Sequence, residues 1–239
     1  MTLRYVCVIS LLLAAPAMAQ EEAEEDSGPW AGKATLGYLA TSGNTNNSNL
    51  NAAFEVSYTK GLWVHSLRAE AINATEDDVT TSEAYQAGWK SERNFDEHNY
   101  MFGELVWRKD RFSGYDEQFS ETIGYGRRLV DREKHKLNAE IGAGARQSEL
   151  SDGSQEDEFI VRGGLSYIWQ ISETAQFNQD LVAESGQENT YLESVTALKA
   201  KLIGDLALVA SFTVKNNSSV PAGTEKTDTY TAVSLEYSF

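Results

Sequence analysis

Cysteine is nearly missing from this 239-residue chain: the single one is Cys7. It stands in an opening segment where Arg4 gives a positive start, Tyr5 to Ala15 an apolar run, and Ala17-Met18-Ala19 a small-x-small pattern. That is the layout of a cleaved export signal over residues 1–19, with cleavage expected before Gln20. The run is too short and wrongly flanked for a stable spanning helix. Cys7 is not followed by a lipoprotein-type cleavage pattern. The exported chain then has no cysteine, which excludes a disulfide scaffold and leaves a large core or a membrane to stabilise it.

Basic charge is also scarce. Twenty Lys and Arg face 36 Asp and Glu, a net charge of −16. Nucleic acid, whose backbone needs basic neutralisation, is excluded as a partner, and attraction to anionic headgroups is disfavoured. After residue 19 no stretch holds the roughly eighteen apolar residues of a spanning helix. A hydropathy plot therefore reads as soluble, but it misses transmembrane barrels, whose strands alternate lipid-facing and lumen-facing residues. Proline occurs only at Pro16, Pro29 and Pro221, outside every strand interior proposed below, as ladder hydrogen bonding requires.

What is present is alternation. Residues 20–29 (QEEAEEDSGP) read as an acidic flexible leader. From Trp30 onward, alternating stretches are separated by turn-rich breaks. At the end of the chain, Thr229, Thr231, Val233, Leu235, Tyr237 and Phe239 share one face; Asp228, Tyr230, Ser234, Glu236 and Ser238 share the other. The same period of two recurs across about twelve strands, near 32–41, 47–59, 62–74, 81–93, 99–110, 115–130, 135–149, 157–171, 174–185, 189–203, 206–217 and 226–239. Residues 62–110 are the least regular. The chain is rich in Thr, Tyr, Val and Gly without a sustained 3.6 period, so helix is disfavoured.

The fold expected is all-β: one antiparallel up-and-down transmembrane β-barrel over residues 30–239. A soluble secreted β-barrel or sandwich is the alternative. Strands of ten to fifteen residues suit a tilted bilayer crossing, whereas globular strands commonly have about five or six. Aromatics near strand ends (Trp30, Tyr58, Trp63, Tyr100, Trp169, Tyr191, Tyr237) are expected to form interfacial girdles. Odd-numbered connections read as longer and more polar than even ones, which places them outside the cell and both chain ends in the periplasm. The acidic clusters Glu76-Asp77-Asp78 and Glu156-Asp157-Glu158 fall in those outer connections. They read as a solvated rim; their spacing matches no calcium loop. The tract Gly43–Asn49 (GNTNNSN) reads as the first outer turn, because Asn and Gly tolerate positive φ and Asn and Ser bond nearby backbone.

The arrangement G-x(5)-GNT from Gly37 to Thr45, the runs FSETIGYGRRL (Phe119 to Leu129) and LNAEIGAGAR (Leu137 to Arg146), and the terminal Phe239 resemble the bacterial salt-induced outer-membrane protein family, domain of unknown function 481. The resemblance spans residues 30–239 and implies an outer-membrane barrel with a link to salt or osmotic stress. It implies no activity and brings no catalytic residues.

Chemistry is sparse. His65, His98 and His135 form no Ser/His/acid set and no metal-binding spacing. No catalytic, cofactor or metal site is expected, and the protein reads as a non-enzyme; a barrel-embedded hydrolase is kept as an alternative. The glycines of GYG and GAG are expected to ease strand curvature. Parity places Arg68, Arg108, Arg128, Arg146, Arg162, Glu55, Glu70, Glu104, Glu140, Asp180, Glu184, Glu193, Lys199 and Lys201 on the lumen face, since charge facing lipid is costly. Two readings follow: mutual pairing that plugs a structural barrel, or a narrow porin-like channel with an arginine track for a small anionic solute. Val233, Leu235, Tyr237 and Phe239 resemble the terminal signal read by the outer-membrane barrel assembly machinery. Outer-membrane lipid and lipopolysaccharide are the other partners expected. The oligomeric state is not legible.

Overall fold

A computed structural model describes residues 28–41, 47–77 and 79–239. The export signal, most of the leader and Gly43-Asn44-Thr45 lie outside the described residues. Among the described residues, twelve strands close into one antiparallel barrel, each hydrogen-bonded to its sequence neighbours, with the last returning to the first. They are β1 Trp30–Thr41, β2 Asn47–Lys60, β3 Trp63–Glu76, β4 Val79–Asn94, β5 Asn99–Asp110, β6 Tyr115–Asp131, β7 His135–Leu150, β8 Gln155–Gln170, β9 Ala175–Ser185, β10 Thr190–Ile203, β11 Leu206–Asn217 and β12 Thr227–Ser238. Both ends of the barrel sequence lie at one rim, called proximal below. The opposite rim is distal.

The barrel is inside-out relative to a soluble protein. Among the described residues, nine hydrophobic side chains are buried against sixteen polar or charged ones. Leu36, Leu67, Trp89, Ile123, Ile141, Phe159, Val233 and Leu235 point outward and are exposed. An apolar exterior around a polar interior is what hydrocarbon selects, and closure gives every strand two neighbours. The structure is a transmembrane-type barrel rather than a sandwich. The strands are 11 to 17 residues long.

Three expectations change. The outer connections are shorter than the polar tracts suggested: β3 ends at Glu76 and β4 begins at Val79, so most of the TEDDVTTS tract is strand. Glu156, Asp157 and Glu158 likewise belong to β8, not to a connection. Turn-forming composition is only a propensity, and ladder pairing with a neighbour overrides it. Tyr100 and Tyr191 are not girdle residues; both are buried inside the barrel. Strand ends in a sheared barrel put inward and outward positions at the same height, so an aromatic near an end need not face lipid.

The glycine runs have a sharper role than curvature. On β6, Gly124 pairs with Phe102 and Gly126 with Tyr100. A Cβ on Gly126 would stand 2.2 Å from the Tyr100 ring, and one on Gly124 would stand 2.6 Å from the Phe102 ring. The glycines leave room for two inward aromatic rings to lie flat over the neighbouring strand.

The closing seam is incomplete. The β1–β12 ladder holds only Lys33↔Ser238, Ala34↔Tyr237, Thr35↔Glu236 and Leu36↔Leu235, extended proximally by reciprocal backbone bonds between Gly32 and Phe239. Beyond Leu36 the two strands run on to Thr41 and back to Thr227 without a ladder. By contrast β1 pairs with β2 along its whole length.

Candidate functional site: the charged interior

Register sets which side chains share the interior. Glu104 on β5 lies opposite Lys90 on β4 and Thr122 on β6, and alternation from there places all fourteen parity-assigned charges on the inner face. The structure sorts them into two walls.

The first wall runs over β4–β9 and is filled. Its distal layer centres on Glu184. Arg108 donates two bonds to that carboxylate, both 3.0 Å. Ser120 Oγ donates to it at 3.2 Å, and Arg146 Nη1 lies 3.6 Å away. Arg146 also pairs with Glu158 and donates to the Asn189 carbonyl at 2.6 Å. Its side chain is 0% exposed and that of Glu184 1%. Arg108 lies over the Tyr191 ring, 4.5 Å from its centroid, and Tyr191 donates to Glu193 at 2.8 Å. The connections at 186–189 and 218–226 fold onto this layer. Asn189 donates to Asn217 at 2.8 Å, and Tyr115 donates to the Ser219 carbonyl at 3.1 Å.

A second layer of the same wall lies nearer the proximal end. Arg162 bridges Glu104 at 2.9 Å and Glu140 at 2.8 Å. Glu140 also holds Lys90 and accepts from Tyr100 at 2.7 Å. Lys90 and Arg162 lie over the Phe102 ring at 4.9 and 5.3 Å, and Arg128 over Tyr100 at 4.9 Å. Arg128 donates to Asn94 at 2.8 Å. The aromatic rings thus serve as flat spacers between cations.

The other wall, over β1–β3 and β9–β12, is looser. Arg68 faces inward from mid-β3, yet its side chain is 48% exposed and its nearest carboxylate, Glu70, is 3.6 Å away. The Glu193, Glu55 and Glu104 carboxylates, on β10, β2 and β5, also face its guanidinium, which the barrel encloses. Lys33 pairs with Glu55 at 3.1 Å, both substantially exposed. Lys199 pairs with Glu236 at 2.5 Å. Asp180 and Lys201 are exposed. A cavity of about 240 Å3 opens at the proximal mouth beside Lys199, Lys201, Gln170, Gln176 and Ser238. Toward the distal end a separate, smaller cavity of about 20 Å3 lies between Arg108, Tyr115, Tyr191 and Lys215.

Parity alone missed Lys33, Lys90, Glu158 and Glu236 as members of these pairs, although all four share the parity of assigned residues. The histidines lie elsewhere. His65 stacks between Trp63 and Trp89 on the outer face. His135 stacks on Tyr167 and Trp169. His98 sits in the turn held by Asp96, which accepts from the His98 and Asn99 N–H groups at 2.8 Å. Val233, Leu235 and Tyr237 point outward on β12, and the Phe239 ring stacks 6.4 Å from that of Tyr237.

Comparison with known proteins agrees with this architecture. Residues 34–239 match the family model described as "Protein of unknown function, DUF481". The chain belongs to that family. It is 35% identical over 211 residues to the uncharacterized protein YdiY of Escherichia coli strain K12, covering 88% of this chain and 83% of the relative. Among solved structures, the barrel of this DUF481 protein resembles that of the NanC porin, with a TM-score of 0.50 and 11% identity, covering 87% of this chain and 97% of the porin. At that identity the likeness is one of fold.

Proposed function

We propose that this DUF481 protein is a narrow, non-enzymatic channel of the bacterial outer membrane, passing small polar solutes along the looser wall of its barrel. The observation that carries the reading is the exposure of Arg68. An inward side chain of the filled wall is buried, as Arg146 is; Arg68 keeps 48% of its side-chain surface free although the barrel surrounds it, so side chains do not fill the lumen beside β3. The β4–β9 wall narrows that path, and the distal layer around Glu184 sets its tightest level. In this reading residues 1–19 direct export, 20–29 form a leader and 30–239 the membrane domain. The proximal rim faces the periplasm, and the outward Val233, Leu235, Tyr237 and Phe239 present the assembly signal. The outward, ring-stacked positions of His65 and His135 support a non-catalytic role.

Single-channel recording of refolded protein in planar bilayers tests this. Discrete conductance steps are expected, smaller than those of wide porins. Folded, inserted protein that leaves the bilayer sealed would replace the channel by a purely structural barrel.

A further inference from the structure

Charge on the outer face of the barrel is sorted by rim. Among the described residues, the charged strand positions that alternation turns outward toward the proximal rim are Lys60, Arg93 and Arg127, all basic. The outward charges toward the distal rim of β6–β8 are Glu117, Glu121, Glu149 and Asp157, all acidic. Each of the three proximal bases is exposed. None forms an ion pair or a side-chain hydrogen bond among the described residues, whereas most inward bases are paired. An outward cation at a membrane rim meets water and headgroups, and the anions within its reach there are lipid phosphates.

Two of the three share one row of the sheet. Lys60 on β2 lies opposite Trp63 on β3, and Trp63 lies opposite Arg93 on β4. The Arg93 guanidinium stands 5.8 Å from the Trp63 ring centroid, on the outer face beside the indole. Lys60 and Arg93 are two strand spacings apart, roughly 10 Å, a gap that two long side chains close around one phosphate. The next row toward the distal rim holds Tyr58, His65 and Ser91, and the one after it Val56, Leu67 and Trp89. His65 stacks between Trp63 and Trp89 at 5.9 and 6.3 Å. The patch thus passes from cations through hydroxyl and imidazole groups to apolar side chains, the order in which a phospholipid presents phosphate, glycerol esters and hydrocarbon. The acids nearest in sequence, Asp96 and Glu97, lie in the β4–β5 turn, where the Asp96 carboxylate is already held by Asn99 and the His98 N–H. A zwitterionic headgroup brings its own cation, which competes with Lys60 and Arg93 for the phosphate. A headgroup of net negative charge does not, so the row favours anionic lipid.

We propose that the outer face of β2–β4 at the proximal rim binds one anionic phospholipid, with its phosphate between Lys60 and Arg93 and against Trp63. The guanidinium fork suits phosphate oxygens, and the indole sits at headgroup depth. This goes beyond the channel reading and is independent of conduction. The lipid would lie outside β3, whose inner face carries the weakly paired Arg68, and so brace the looser side of the barrel.

Native mass spectrometry of the full chain, taken from vesicles of equal phosphatidylcholine and phosphatidylglycerol, tests this. One retained phosphatidylglycerol per barrel is expected, with phosphatidylcholine lost first. From the usual attraction of a surface cation for anionic lipid, Lys60→Gln or Arg93→Gln should weaken phosphatidylglycerol binding about fivefold, and the two together about 25-fold. Lys109→Gln, at an outward base toward the distal rim, should leave binding unchanged. Gel mobility before and after heating checks that each variant is folded. Inorganic phosphate added at constant ionic strength should leave the lipid in place. Equal retention of the two lipids, undiminished binding in the double variant, or an equal loss in Lys109→Gln overturns the site. Displacement of the lipid by inorganic phosphate would make it a site for the free anion and overturns the lipid assignment.

Discussion

Arg108 on β5 and Glu184 on β9 grip each other through two parallel hydrogen bonds of 3.0 Å, although they are 76 residues and four strands apart. The pair spans a chord of the barrel and ties its distal layer together. Removing one partner of a buried pair typically costs about 3–5 kcal/mol, because the other charge is left uncompensated. Glu184→Gln should therefore lower unfolding stability by that order. It should also raise conductance and shift the reversal potential toward anions, since Arg108 and Arg146 lose their shared carboxylate. Denaturant titration and bilayer recording in a salt gradient check both.

Arg68 stands in the open lane and is weakly paired, so its charge should govern selectivity without governing stability. Arg68→Gln is expected to turn the reversal potential toward cations while lowering the unfolding midpoint less than Glu184→Gln does. An unchanged reversal potential would place the conducting path elsewhere.

Gly126 faces the Tyr100 ring. Gly126→Val should overpack the interior and cost about 1–3 kcal/mol. Adding Tyr100→Ala should recover much of that loss, because the smaller side chain vacates the space the valine needs. A double-mutant cycle on unfolding free energies measures the coupling.

Phe239 closes the proximal seam by its backbone: Gly32 N–H donates to its carbonyl at 2.8 Å and its own N–H donates back at 2.9 Å. Phe239→Ala keeps both bonds and should slow assembly while leaving the folded barrel's stability nearly intact. Deleting Phe239 removes the bonds as well and should lower both. Folding rate into vesicles and thermal unfolding on gels separate the two effects.

The Asp96 carboxyl in the β4–β5 turn is held below the ordinary carboxylate range, first by the Asn99 side-chain amide and then by the His98 N–H. A lowered folded pKa stabilises the turn above the unfolded value, about 3.9 for Asp. That contribution is lost as pH falls through the folded pKa. Amide exchange at His98 and Asn99 should stay protected from neutral pH down to the ordinary Asp range and rise only in stronger acid. Asp96→Ala should remove the protection at every pH.

Strand number, strand positions and the inward parity of charges were legible because each is a local property. A period of two is written in neighbouring residues, and lipid forbids charge on one of the two faces. Arg162 and Glu140 could be assigned to the lumen from their own strands. Less local features were misread. TEDDVTTS looks like a loop until β3 and β4 pair through most of it, and Tyr100 and Tyr191 look like girdle residues until the register turns them inward. Glu158 reads as part of a solvated cluster, yet it is the partner of Arg146.

Local pattern was enough to show that this chain alternates, that it forms about a dozen strands, and that its charges collect on one face. Which charges meet depends on how the barrel closes. Arg108 finds Glu184 because closure and shear bring β5 and β9 across the lumen at the same height, and no spacing along the chain encodes that chord. The same closure filled one wall with ion pairs, left Arg68 in open lumen, and stopped the seam at Leu36, because pairing between the first and last strands is the most non-local contact the chain makes.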